Sequence, residues 1–216
     1  MAVKAVSTGT AADLIPKRPT LTSLREAARG CRACPLWERA TQTVFGEGRT
    51  GARVLMLGEQ PGNDEDLAGR PFVGPAGKLL DRALDRAGVD RREVYVTNVV
   101  KHFKWEQKGK RRIHAKPNSA EIRACLPWLE AELSVVGPDV VVALGATAAQ
   151  ALLGKTFRVT QQRGQLVDSP LAGRVLDTVH PSAILRAPDD ETRHAEMDRF
   201  VADLSVVAKL LRRAAA

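Results

Sequence analysis

The sequence predicts an α/β fold, with a mostly parallel central sheet covered by helices on both faces: a three-layer α/β/α arrangement in a single domain. Three observations predict it. Short apolar runs such as Arg53–Leu57 and Val140–Leu144 have the continuous character of strands buried on both faces. Segments with apolar residues at helical spacing lie between such runs, and strands alternating with helices mark a parallel sheet. A chain of 216 residues, 44% of them hydrophobic, can bury one good core.

Taken in order, Leu21–Arg29 reads as a short helix running into the turn Cys31-Arg32-Ala33-Cys34. Arg53–Leu57 is the first strand, closed by Gly58. Gly77–Gly88 carries Leu79, Leu80, Ala83, Leu84 and Ala87 at helical spacing, with Gly88 placed to cap the end. Glu93–Thr97, rich in β-branched and aromatic residues, is the second strand. Lys101–Asn118 is basic, lacks periodicity and reads as a loop. Ser119 is placed to cap a helix whose inner face carries Ile122, Leu126, Leu129 and Leu133. After Pro138-Asp139 come the strand Val140–Leu144, the helix Ala146–Leu153, and a fourth strand, Arg174–Val179, that ends at His180-Pro181-Ser182. From Asp190 onward, Met197, Phe200, Val201, Leu204, Val207 and Leu211 mark a long amphipathic helix. The sequence has no internal repeat. In such folds ligands bind beyond the carboxyl ends of the strands.

Net charge is +8 and the sequence pI is about 9.8, which favours an anionic partner; nucleic acid and anionic membrane both fit. No apolar run approaches the ~20 residues that a membrane span needs. Met1–Arg18 has no continuous apolar stretch of the signal-peptide kind and reads as a disordered arm before a domain over 19–216. A cytoplasmic monomer is expected. Three cysteines, an odd number, argue against a disulfide framework and leave metal, catalysis or plain core as their use.

Gly58-Glu59-Gln60-Pro61-Gly62 closes the first strand and on its own reads equally as a turn. The residues after it add chemistry. Asn63-Asp64-Glu65-Asp66 brings three acids into a basic protein, and Pro71-Phe72-Val73-Gly74-Pro75-Ala76-Gly77 sets an aromatic among turn residues just before a helix. A Phe so held offers a flat face for a base to stack on. The helix N-terminus beside it supplies free N–H groups.

These segments, with Thr97-Asn98-Val99-Val100-Lys101 and His180-Pro181-Ser182 later in the chain, resemble the motif series of the family-four uracil-DNA glycosylases, in that family's order and spacing from Cys31 to Arg186. Gln60, where ordinary members usually have Ala, is similar to the UdgX branch. The resemblance implies the uracil-DNA glycosylase fold, with uracil-containing DNA as substrate and uracil as product. It implies Phe72 for stacking on a flipped uracil and Asn98 for reading its edge, since an Asn amide both donates and accepts. Gly58 and Gln60 belong to the same pocket. His180 is implied beside a uracil carbonyl, where charge develops on the leaving base.

The resemblance also implies a metal site. Cys31 and Cys34 lie at a spacing that lets one turn present both sulfurs. Cys125 matches the last cysteine of the family-four set, and His102 stands where that set has another cysteine, as in UdgX-like proteins. A [4Fe–4S] cluster on Cys31, Cys34, His102 and Cys125 is the implied cofactor; zinc would use the same four residues.

Lys108-Gly109-Lys110-Arg111-Arg112-Ile113-His114 reads on composition as a solvated charge run or a phosphate-binding patch. It resembles the Lys-Arg-Arg-Ile-His insertion of UdgX-like proteins, which implies that His114 captures C1′ of the deoxyribose once uracil has left. A positioned imidazole can outcompete water for that carbon. Glu59 would orient His114 and support the cation. Arg112 would hold the loop or a phosphate, and Gln60 would position the loop or the flipped nucleotide. Lys108, Lys110, Arg111, Ser182 and Arg186 are expected at DNA phosphates. A turnover glycosylase that uses water is the alternative, and a non-catalytic uracil- or damage-binding module a further one. A nucleotide-binding doubly wound protein is disfavoured, because neither Gly-x-Gly-x-x-Gly nor Gly-x-x-x-x-Gly-Lys occurs.

Overall fold

A computed structural model of the chain describes residues 9–213. The strands are β1 (Val54–Gly58), β2 (Val94–Asn98), β3 (Trp105–Lys108), β4 (Arg111–His114), β5 (Val140–Leu144), β6 (Leu166–Ser169) and β7 (Gly173–Thr178). The helices are α1 (Leu21–Ala28), α2 (Asn63–Ala68), α3 (Pro75–Ala87), α4 (Ser119–Val136), α5 (Ala146–Leu153), α6 (Val159–Gln162), α7 (Pro181–Leu185) and α8 (Asp190–Arg213).

The central sheet has the order β2-β1-β5-β7-β6, parallel throughout except for the edge strand β6, which runs antiparallel to β7. Every residue of β1, β2 and β5 is buried, as the continuous apolar runs require. Successive residues of β1 face opposite layers. Leu55 and Leu57 pack with Leu24, Trp128, Leu129 and Ala148 from α1, α4 and α5, while Val54 and Met56 pack with Leu80, Leu84, Phe200 and Leu204 from α3 and α8. Two cores on one sheet make the three-layer domain. No helix of the described residues is long and apolar enough to cross a membrane.

Several expectations are corrected. The expected loop 101–118 contains the antiparallel hairpin of β3 and β4. Both of its faces are largely solvated, so it carries no apolar alternation to read. Its turn is a two-residue connection, Gly109-Lys110, with Gly109 at φ 60°, the residue order a type II′ turn favours. The cap of α4 is Asn118, not Ser119: its side chain accepts from the N–H groups of Ala120 and Glu121, and Glu121 reaches back to the Asn118 N–H at 2.7 Å. The inner face of α4 is shifted accordingly. Cys125, Trp128, Leu129, Glu132 and Leu133 are buried, whereas Ile122 and Leu126 are only partly so. The arm expected over residues 1–18 is ordered in its second half: Ala11–Leu14 form a 3-10 turn with Ala11 fully buried in the core. Residues 1–8 lie outside the described residues.

Candidate active site

β1 and β2 end side by side, with Gly58 opposite Asn98 in the register. A Cβ at position 58 would stand 2.3 Å from Asn98 Oδ1 and 3.0 Å from Phe72 Cζ, so only glycine lets the amide and the ring meet there. The Asn98 side chain is 3% exposed, and its amide has no hydrogen-bond partner among the described residues. The amide lies on the wall of a cleft, free to pair with a ligand group.

Phe72 is held in a left-handed backbone conformation, φ 55°, which costs about 1–3 kcal/mol for a bulky residue. The surroundings enforce it. Gly77 packs so close that a Cβ there would stand 1.7 Å from the Phe72 carbonyl oxygen. The buried Glu65 carboxylate accepts from the Gly62 N–H at 3.1 Å and the Gly74 N–H at 2.8 Å, tying the first motif to the Phe72 loop. The Phe72 ring faces that of His180, with centroids 6.3 Å apart.

His180 caps α7. Its Nδ1 accepts from the Ser182 N–H at 3.1 Å and lies 2.8 Å from the Ser182 hydroxyl, which leaves the ring proton on Nε2. Burial, helped by the nearby Arg186 and His114, pushes its pKa down to about 4, so the ring is neutral at neutral pH. Ser182, expected at a phosphate, lies on the cleft wall with its hydroxyl against His180 Nδ1.

The hairpin brings His114 to the same place. Gln60 clasps its base: Nε2 donates to the carbonyls of Lys104 (3.0 Å) and Ala115 (3.1 Å), and Oε1 accepts from the Lys104 N–H. Arg112 ties β4 to α2 through Asn63 Oδ1 (2.9 Å) and the fully buried Asp66 (2.7 Å), and lies over the rings of Phe103 and Trp105. Both side chains therefore hold the loop. So anchored, His114 Nε2 stands 3.4 Å from Glu59 Oε1, and Glu59 Oε2 accepts from the Thr147 hydroxyl.

A cleft of about 650 Å³ opens between these parts, lined by Glu59, Gln60, Phe72, Asn98, His114 and His180 among others. Arg186 and Lys116 lie on its wall, the latter unforeseen in the sequence. Lys108, Lys110 and Arg111 are exposed at the hairpin tip, outside the cleft. A second cavity, of about 410 Å³, lies beyond the Gly69–Pro71 segment and contains Arg25 and Arg29 but none of the groups assembled around Asn98.

The three cysteines are buried free thiols. Burial pushes Cys34 up and Cys125 up to about 12, and mutual repulsion among the thiols adds to both. Cys125 Sγ accepts from the Lys101 N–H at 3.2 Å, and Cys31 Sγ from the Trp128 indole at 3.3 Å. His102 Nε2 lies 2.9 Å from the Thr43 hydroxyl, whose one proton goes to the Ala28 carbonyl. The imidazole must then donate through Nε2, which leaves Nδ1 with a lone pair. The donor chemistry fits a soft metal centre. Among the described residues, however, no three His, Cys, Asp or Glu side chains close into an arrangement that would hold a metal ion.

A family model, described as the uracil DNA glycosylase superfamily, matches residues 45–205. The chain belongs to this superfamily. A type-4 uracil-DNA glycosylase of Thermotoga maritima is 38% identical over 185 residues, covering 85% of this chain and 93% of that protein. One from Sulfurisphaera tokodaii is 32% identical over 198 residues, 88% of this chain and 87% of its own. A type-5 uracil-DNA glycosylase of Thermus thermophilus is 34% identical over 168 residues, 68% and 70%.

This superfamily member also carries a buried ion pair that its sequence did not announce. Lys101 is fully buried, and its Nζ donates to Glu132 Oε2, to the Thr97 hydroxyl and to the Asn98 carbonyl, the last two at 2.7 Å. Glu132 accepts further from Tyr95, Thr97 and the Gly46 N–H. The network braces the strand end that presents Asn98. Only charges inside otherwise apolar segments could have signalled it.

Proposed function

We propose that this chain excises uracil from DNA and is then joined to the DNA through His114, as in the UdgX branch. One observation carries the reading: a hairpin clasped at its base by Gln60 and pinned by Arg112 sets His114 3.4 Å from Glu59, on the cleft that holds Asn98, Phe72 and His180. Uracil stacks on Phe72, and the open Asn98 amide pairs with its O4 and N3–H. As the bond from N1 to C1′ breaks, its electron pair passes to the base, and the Nε2–H of neutral His180 donates to the carbonyl where that charge gathers. The Glu59 carboxylate supports the oxocarbenium ion. The His114 lone pair then forms the bond to C1′, the resulting imidazolium gives its remaining N–H to Glu59, and uracil takes a proton from solvent.

Cys31, Cys34, Cys125 and His102 would hold a [4Fe–4S] cluster, supported by three buried thiols and the lone pair on His102; zinc on the same residues is the alternative. Bound there, it would clamp the N-terminal segment to the base of the hairpin. Iron and sulfide in stoichiometric amounts with visible absorbance support the cluster, and zinc without iron removes it.

The test is to incubate the protein with uracil-containing single-stranded DNA and run a denaturing gel. A species at the summed mass of protein and uracil-free DNA, stable to heat and detergent and mapped to His114, is expected. Free abasic DNA alone would establish the turnover reading, and intact uracil-DNA would leave only a binding module.

A further inference from the structure

We propose that Thr147 is a positioning residue for this reaction, its hydroxyl fixing the rotamer of Glu59 so that the second carboxylate oxygen faces His114. The inference rests on the role given to Glu59 above and extends it to a residue that no motif marks. A Thr in the first turn of a helix ordinarily spends its hydroxyl on its own turn. Here it does not. The N-cap of α5 is Gly145, which makes no side-chain cap bond, and the Thr147 hydroxyl crosses to Glu59 Oε2 instead.

The two residues approach from different elements. Glu59 comes directly after β1, and α5 packs beside β1 on the face that holds Leu55, Leu57 and Ala148. Glu59 keeps 21% of its side chain exposed and His114 50%, so neither is fixed by packing alone. A free Glu side chain loses up to about 2 kcal/mol of rotamer entropy when ordered. The Thr147 hydroxyl, itself on a residue 7% exposed, orders Glu59 before substrate arrives. With Oε2 taken, Oε1 is left to the imidazole, and an imidazole that gives one N–H to a carboxylate keeps its other nitrogen as the electron-pair donor. Thr147 touches neither substrate nor the reacting atoms; it acts through Glu59.

The experiment compares Thr147→Val, which keeps the shape and loses the donor, with Thr147→Ser, which keeps the donor. Single-turnover rates, uracil-DNA affinity and thermal unfolding are measured for each, with Glu59→Gln alongside. Thr147→Val is expected to slow the chemical step by about ten- to a hundredfold, with affinity changed by less than about twofold, and Thr147→Ser to recover to within about threefold of wild type. In the Glu59→Gln background Thr147→Val should add nothing further, because the two act as one unit. A wild-type rate for Thr147→Val beside a slowed Glu59→Gln would overturn the positioning role alone. Equal losses in Val and Ser, or a loss that tracks affinity or unfolding, would do the same. A Glu59→Gln protein at wild-type rate would overturn the role of Glu59 instead, and it separates that failure from the failure of this inference.

Discussion

His114 and His180 are imidazoles on one cleft, and their surroundings give them different work. His180 is half-buried beside Phe72 and Ser182, stays neutral down to about pH 4, and has its proton placed on Nε2. That suits a donor toward a developing anion. His114 is half exposed on a hairpin, beside a carboxylate that is itself held by a hydroxyl. That suits an electron-pair donor. Replacing His114 by Ser should therefore leave excision running while water takes the cation, so that an alkali-labile abasic site replaces the heat-stable species; a variant that still crosslinks at the wild-type rate places the linkage elsewhere. Phe72→Ala should weaken capture of uracil-DNA by about 1–3 kcal/mol, the scale of base stacking on an aromatic. The same change also relieves the left-handed strain at residue 72 only in part, since Gly77 and Glu65 still fix the loop. Binding and unfolding measured together separate the two effects: affinity falls while thermal stability holds.

At the scale of elements, the hairpin of β3 and β4 carries His114 onto the cleft, and it hangs on few contacts. Gln60→Ala removes three hydrogen bonds at its base and should slow adduct formation by about tenfold while uracil release slows less, since a misplaced nucleophile costs more than a misplaced reader. Parallel time courses for free uracil and for adduct check this; equal slowing would mean that Gln60 serves the uracil pocket. The same element shows where the sequence could and could not be read. β1, β5 and α3 were legible because burial on one or both faces writes itself as apolar runs or helical spacing. A solvated two-stranded ribbon buries no face, so Trp105–His114 looked like loop. α2 was hidden for the opposite reason: Glu65 and Asp66 are acids that read as surface, yet both are buried, carrying backbone N–H groups and the Arg112 guanidinium. Asn98, Phe72 and His180 could be named from motif resemblance, but their mutual geometry depends on Gly58, Gly77 and the ion pair of Lys101 with Glu132, which act across elements far apart in the chain.

For the whole molecule two electrostatic effects make predictions. The net charge of +8, with Lys108, Lys110 and Arg111 at the hairpin tip and Lys116 and Arg186 at the cleft, should make DNA binding fall steeply with salt, and each tip cation removed should lower the salt slope by about 1. Stability against pH is set by buried groups instead. Asp177 on β7 is fully buried, and both its carboxylate oxygens lack a hydrogen-bond partner among the described residues, as does Nη2 of Arg163. Burial first, and Asp203 second, push its pKa up to about 7 against the pull of Arg163. Between about pH 4 and 7 the folded chain therefore holds a proton on Asp177 that the unfolded chain has lost, and stability drains away as pH rises through that window. His180 works in the other direction. Between 6.5 and about 4 the unfolded chain takes up a proton that the folded state refuses, so stability falls as pH drops. His102, whose pKa burial likewise pushes down to about 4, adds a second loss of the same sign. In acid the two histidines therefore outweigh Asp177, while the loss from Asp177 stands at neutral pH. Asp177→Asn keeps the shape of the neutral acid and cannot ionise. It should be more stable than wild type at pH 8, by as much as a few kcal/mol, and should lose stability more steeply than wild type from pH 6.5 to 4, where His180 and His102 then act unopposed. Urea unfolding across that range decides it: a variant destabilised by the same amount at pH 5 and pH 8 would show that Asp177 is ionised in the folded protein.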